Sequence, residues 1–214
     1  MSLPPARIWF NWRFEHLDRI PTVGPAIIAC NHISYLDPWA NALAVIKAGR
    51  RPRFLAKDEL FDIAVVGTAL RGAHQIPVRR RTGDPTPLLM AEEALRAGEV
   101  VVIYPEGTVT DRPDHLPMQG KTGTVRLSLA TGVPITPLAS WGSQAVWQKS
   151  GRGSLKFGRP VWVKAGPPLD LSARSGEAKD RDALVAMTAE VMAVITSHVE
   201  DLRSRYPKRW ASEG

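Results

Sequence analysis

The run Val100-Val101-Val102-Ile103-Tyr104 limits the fold more than any other segment. It is continuous, β-branched and apolar, and it sits between Gly98 and Pro105. A run without polar alternation predicts a strand covered on both faces, as in a parallel sheet with a helical layer on each side. Shorter apolar runs at 25–30, 53–57, 75–78, 135–139 and 161–164 read as further strands. Helix-length segments alternate with them. Residues 38–48 form one. Asp58 caps a second that runs to Leu70 and stops at Gly72. Residues 86–97 form a third, with Leu88, Leu89, Ala94 and Leu95 inward and Gly98 as its stop. Residues 123–131, closed by Gly132, form a fourth. The last is 181–205, with Leu184, Met187, Val191, Val194, Ile195, Val199 and Leu202 along one stripe. The expected fold is α/β: a single domain with a mostly parallel central sheet flanked by helices. Its expected division is a short basic-aromatic segment at 1–20, a core at 21–170, and a C-terminal amphipathic helix and basic tail packed on the core at 171–214.

Several function classes fall away on inspection. The 214 residues contain one cysteine, so an intramolecular disulfide framework is excluded and a reducing compartment fits. C-x-x-C, H-E-x-x-H, G-x-G-x-x-G and G-x-S-x-G patterns are missing from the chain. Lys121-Thr122-Gly123 stands without the companion motifs of a β-lactamase. No secretory leader is expected, and the most apolar stretch, 184–199, is broken by Thr188, Glu190, Thr196, Ser197 and His198, so no membrane span is expected either. The formal net charge is +7, which calls for an anionic partner: nucleic acid, a phosphate-bearing metabolite or an anionic membrane.

Sites in such sheets lie beyond the C-terminal ends of strands. That rule selects the loops at 31–37, 79–87 and 105–121. In the first, His32 suits a general base, and Asp37 could hold its other ring nitrogen if the chain turns between them. The competing reading makes Asp37 an N-cap before Pro38, with Ser34 and Asp37 as a capping box. In the third loop Glu106 and Thr108 follow the buried strand, which is also what an ordinary turn would look like. In the second, Arg79, Arg80 and Arg81 could bind phosphate bidentately or form a solvated basic run.

Taken in order, these motifs resemble the glycerophospholipid acyltransferase superfamily, in particular its lysophosphatidate acyltransferases. The first block, N-H-x-[ST]-x-x-D, is matched by Asn31-His32-Ile33-Ser34-Tyr35-Leu36-Asp37. Gly72 with Arg79 or Arg80 looks like the second. Tyr104-Pro105-Glu106-Gly107-Thr108-Val109-Thr110 resembles the third, F-P-E-G-T-R-S, and Val133-Pro134-Ile135-Thr136-Pro137 the fourth. Lys121-x-Gly123, followed by Arg126-Leu127-Ser128, is also family-like. One departure is Val109, which stands where the family has an arginine associated with the acceptor's phosphate. Arg79, Arg80, Arg112 and Lys121 are the substitutes within this chain.

The resemblance implies a fatty acyl transfer from acyl-CoA or acyl carrier protein to a hydroxyl of lysophosphatidate or glycerol phosphate. His32 would be the base and Asp37 its orienter. Asn31, Ser34, Arg79, Arg80, Glu106, Gly107, Thr108 and Lys121 would bind substrate. Backbone N–H groups near Gly107 would meet the oxyanion. No metal and no bound cofactor are implied, and Cys30 reads as a packed core thiol. The helices at 38–48 and 60–70 could line an acyl groove. The aromatic-basic stretches 6–14 and 203–210 suggest an anionic membrane surface as partner and a peripheral place on its cytoplasmic face, the first as a short interface helix or as a cover for the core. Two alternatives stand beside this reading: the same transfer to a lyso-phospholipid or glycolipid, and a non-catalytic basic module. Nucleic acid is not expected as a partner, because no binding motif accompanies the charge.

Overall fold

A computed structural model describes residues 8–79 and 83–211. These residues form a seven-stranded sheet in the order β1-β7-β6-β2-β5-β3-β4. The strands are β1 (Asn11–Glu15), β2 (Ala26–Cys30), β3 (Pro52–Lys57), β4 (Ile76–Val78), β5 (Val100–Ile103), β6 (Ile135–Trp141) and β7 (Pro160–Ala165). Strands β2 to β6 run parallel, β7 runs antiparallel to β6, and β1 runs parallel to β7. The sheet is therefore mostly parallel.

Alternate residues of the central strands feed two cores. Ile27, Ala29, Val101 and Ile103 face one layer, built by α3 (Thr86–Arg96), α4 (Gly123–Thr131) and α5 (Arg181–Arg205). Ile28, Cys30, Val100 and Val102 face the other, built by α1 (Asp37–Lys47) and Phe10. This two-sided burial is what the unbroken apolar run at 100–104 requires. The helix at 123–131 closes on Gly132 in the left-handed conformation, φ 69°, which glycine adopts without steric cost.

Four expectations are corrected. Residues 11–15 form an edge strand, not an interface helix, and Phe10 is buried beneath it. Asp58 does not cap a helix. It opens a 3₁₀ turn, Asp58–Asp62, ahead of α2 (Ala64–Gly72), and its carboxylate is engaged by Arg79 Nε at 3.1 Å. On α3 the buried stripe is Pro87, Ala91, Ala94 and Leu95, the true helical spacing, while Leu89 is exposed. Finally, α5 is long and apolar enough to cross a membrane by length and composition. Its polar interruptions do not prevent this: Thr188 and Thr196 donate to the carbonyls of Leu184 and Met192 one turn back. Its stripe from Leu184 to Leu202 lies in the core against the sheet.

The basic-aromatic tail is likewise folded in. Tyr206 is buried, and its hydroxyl donates to Pro160 O at 2.8 Å. The Trp210 ring lies beneath the Arg159 guanidinium, 5.0 Å from its centroid. Arg205 is held by Glu15 and Asp201. Arg80 and Arg81 lie outside the described residues, as do residues 1–7.

Candidate active site

The C-terminal ends of β2, β5 and β6, three adjacent strands, converge on one point. β2 delivers 31–36, β5 delivers the turn at 104–107, and β6 delivers Ser140 to Ser143. Asp37 is the first residue of α1 and is fully buried. The chain between it and β2 is not helical and wraps around the carboxylate. Oδ2 accepts from the backbone N–H groups of Ile33 (2.6 Å) and Ser34 (2.8 Å) and from His32 Nδ1 (3.0 Å). Oδ1 accepts from Ser143 Oγ at 2.6 Å and Ser140 Oγ at 3.4 Å. The capping-box reading is thus half realised, since the Asp37 carboxylate does reach back to the Ser34 N–H. The same oxygen also holds the histidine.

An ionised carboxylate only accepts, so the shared proton sits on His32 Nδ1 and Nε2 is left as the acceptor. The ring is held on its face as well, stacked on Tyr104 with centroids 4.1 Å apart. Tyr104 is anchored from α1, where Asn41 Nδ2 donates to its hydroxyl at 3.1 Å. Burial pushes the Tyr104 phenol well above its usual range. Cys30 is fully buried at the end of β2, and burial raises its thiol too, which fits a packed core residue rather than a nucleophile.

Glu106 ties the loops together. Its Oε1 accepts the His32 N–H at 2.8 Å and its Oε2 accepts the Met118 N–H at 2.9 Å. Burial of this carboxylate outweighs those two donors and, with Asp37 and Asp111 nearby, pushes it up to about 7. Two other residues expected to bind substrate are similarly engaged. Asn31 is fully buried and exchanges two hydrogen bonds with the Ser140 backbone. Ser34 Oγ donates to Trp147 O at 2.7 Å. All three act as struts in this structure. Gly107 has φ 72°, and its N–H donates to Tyr104 O, which removes that amide as an oxyanion donor. A Cβ there would stand 2.9 Å from Lys121 Nζ, so Lys121 lies over the turn. Thr108 is half-buried beside it.

The basic residues divide. Arg79 follows β4, three strands from β2 and so roughly 14 Å away by strand spacing. It is ion-paired with Asp58 and lines a cleft of about 470 Å³ with Arg53, Phe61, Arg71 and His74, which His32 does not line. Arg112 is clamped by both oxygens of Asp114. Val109 is 2 % exposed, so an apolar side chain fills the position where the resemblance expects a cation. Ser140, Ser143 and the Tyr104 stack escape sequence reasoning. The polar run after β6, Ser140-Trp141-Gly142-Ser143, is their one sequence signal, because it too follows a strand's C-terminal end.

The acyltransferase family model matches residues 11–141, from β1 through β6, which takes in His32, Asp37, Tyr104, Glu106 and Ser140 of this constellation. The chain belongs to the acyltransferase family. Among its relatives, the 1-acyl-sn-glycerol-3-phosphate acyltransferase of Bacillus subtilis is 27% identical over 146 residues, covering 67% of this chain and 70% of that protein. The chloroplastic 1-acyl-sn-glycerol-3-phosphate acyltransferase of Arabidopsis thaliana is 26% identical over 186 residues, 81% of this chain and half (50%) of its own length. The crystal structure of the 1-acyl-sn-glycerophosphate acyltransferase PlsC from Thermotoga maritima superposes with a TM-score of 0.71 at 25% identity, covering 95% of this chain and 76% of that one. The family assignment makes this protein an acyltransferase of the lysophosphatidate acyltransferase type.

Proposed function

We propose that this acyltransferase moves a fatty acyl group from an acyl-CoA or acyl carrier protein thioester to a hydroxyl of lysophosphatidate or glycerol phosphate, in phospholipid synthesis at the cytoplasmic face of a membrane. The observation that carries the reading is the fixed His32 ring, with Nδ1 on Asp37, its face on Tyr104 and its backbone N–H on Glu106. Nε2 takes the proton as the acceptor oxygen attacks the thioester carbonyl. The C–S bond then breaks, and the imidazolium returns the proton to the leaving thiolate. The buried Asp37 carboxylate stabilises the imidazolium between those steps. A thioester is already activated, so no acyl-enzyme and no metal are needed. Lys121, lying over Gly107, supplies a cation for an acceptor phosphate, with Arg79 farther along the sheet edge.

A second acceptor class is favoured by one observation. Val109 is apolar and buried, which suits a lyso-phospholipid or glycolipid better than a bare phosphate monoester. Palmitoyl-CoA offered with lysophosphatidate, glycerol phosphate, a lyso-phospholipid and a glycolipid, with products read by mass spectrometry, separates the two. Phosphatidate or acylated glycerol phosphate as the main product supports the first. Products only from the other two acceptors move the assignment. No thiol release with any of them, from palmitoyl-CoA or from palmitoyl-acyl carrier protein, overturns acyl transfer.

A further inference from the structure

Resting on the reading of a lipid acceptor, we propose that the sheet edge bearing His32 is itself a bilayer-docking face, built by three exposed apolar groups around the mouth of the site. The topology puts them on one edge. β1 and β7 run against β2 to β6, so their first residues meet the last residues of the other strands: Trp162 pairs with Trp141, and Asn11 with Pro160. Whatever precedes β1 and β7 therefore lies at the same edge of the sheet as whatever follows β2, β3 and β6.

The first group follows β3. Leu60 and Ile63 in the connecting turn, with Val65 and Val66 at the start of α2, expose four large apolar side chains within seven residues, and Val65 is 82 % exposed. The second follows β2 and β6. Tyr35 and Trp147 meet edge to face at 5.5 Å, and Trp39 stands on the first turn of α1, all three about half exposed. The third precedes β1 and β7. Trp9 and Phe157 meet edge to face at 5.6 Å, beside Ile8 and Leu155. Most of the large exposed apolar residues of the described chain belong to these groups. The remainder, such as Val23 and Ile46, stand singly.

Charge and composition favour a lipid surface as the occupant. Trp and Tyr prefer the headgroup region, where an apolar ring meets a wet edge. The carboxylates of this edge are largely neutralised, Asp58 by Arg79, Glu59 by Lys57 and Asp114 by Arg112. Lys121 and Arg152 in the same loops, and Arg126 on the first turn of α4, then add exposed positive charge against Asp62, which complements anionic headgroups. A second copy or a protein partner would need one continuous apolar core. Here the groups are separated by the polar mouth of the site. Docked by this edge, the enzyme would reach an acceptor hydroxyl without drawing the lipid out of the bilayer.

The test uses the full chain, as wild type, as Val65→Glu/Leu155→Glu, and as Val23→Glu. Val23 precedes β2 at the opposite end of the sheet and is 81 % exposed, so it serves as a matched control. Partition onto phosphatidylcholine–phosphatidylglycerol vesicles is measured by co-sedimentation, and CoA release is measured with a short-chain acceptor below its critical micelle concentration. Wild type and Val23→Glu are expected to bind alike, and the double variant at least about tenfold more weakly, with solution turnover equal in all three. Equal binding by all three proteins, or none by wild type, overturns the docking face even where turnover is normal. Self-association by wild type that the double variant abolishes, without vesicle binding, also overturns it and makes a second copy the occupant. Loss of binding in the double variant with no turnover by any protein leaves the docking face standing and overturns acyl transfer.

Discussion

Replacing Glu106 by Gln separates its electrostatics from its geometry. In the wild type both oxygens accept buried backbone amides, from His32 and Met118. Gln keeps one acceptor and turns an NH₂ group towards the other N–H. A buried donor left without a partner costs about 1–3 kcal/mol. The pH dependence sharpens the test. Burial raises this carboxyl from 4.5 to about 7 in the folded protein. A raised carboxyl contributes stability that is fully present below the unfolded value and is lost as pH rises through the folded one. Between about pH 5 and about pH 8 the wild type should therefore lose roughly 2–3 kcal/mol at this group alone. Glu106→Gln has nothing to titrate there. Urea unfolding of both proteins across that range should show them closest at low pH, where the protonated Glu106, like Gln, keeps one full acceptor, with the variant gaining on the wild type as pH rises. The difference between the proteins cancels every other titrating group. Parallel pH profiles would refute the burial argument.

Ser143→Ala removes the 2.6 Å donor to Asp37 Oδ1 but touches neither His32 nor the acceptor. A hydrogen bond to a charged group contributes about 1.5–3 kcal/mol, so kcat should fall by about tenfold or more with KM unchanged; a rise in KM alone would mean that Ser143 binds substrate. Val109→Arg places a charge at a site 2 % exposed and should lower stability by about 3 kcal/mol or more, read as a fall in Tm, rather than restore a phosphate contact. An unchanged Tm with faster lysophosphatidate turnover would show that this side chain can turn into the site. Cys30, fully buried with a raised thiol, should react with a thiol reagent only on unfolding, and rapid labelling of the native protein would contradict its place in the core.

The elements legible in the sequence are those whose burial leaves a one-dimensional pattern. β5 shows as an unbroken β-branched run because both its faces are covered. α4 shows its end through Gly132 and α5 shows itself through its apolar stripe from Leu184 to Leu202, whereas the Asp180 cap, whose side chain accepts from Asp182 and Ala183 N–H, appears only in the structure. β1 escaped because an edge strand of alternating burial, Asn11-Trp12-Arg13-Phe14-Glu15, carries the same aromatic-basic composition as an interface helix. Leu89 was misplaced because two adjacent leucines cannot both face inward on a helix. Within the site, His32 and Asp37 are five residues apart and could be paired by inspection. Ser143 is 106 residues from Asp37, and only the adjacency of β2 and β6 brings them together. Glu106, Asn31 and Ser34 are visible as motif residues, but their partners are backbone groups, and side-chain identity carries no record of those. Their work as struts could be read only from coordinates.

In the proposed acyl transfer His32 Nε2 is the base, with Nδ1 of the same ring held on Asp37. The most direct test of that role is single-turnover thiol release from palmitoyl-CoA with a saturating acceptor, comparing wild type with His32→Ala at matched stability. General-base catalysis is worth about 10²–10⁴-fold, so the variant should lose at least about a hundredfold in rate while unfolding at the same urea concentration. A folded His32→Ala protein that turns over within a few-fold of wild type would contradict the assignment.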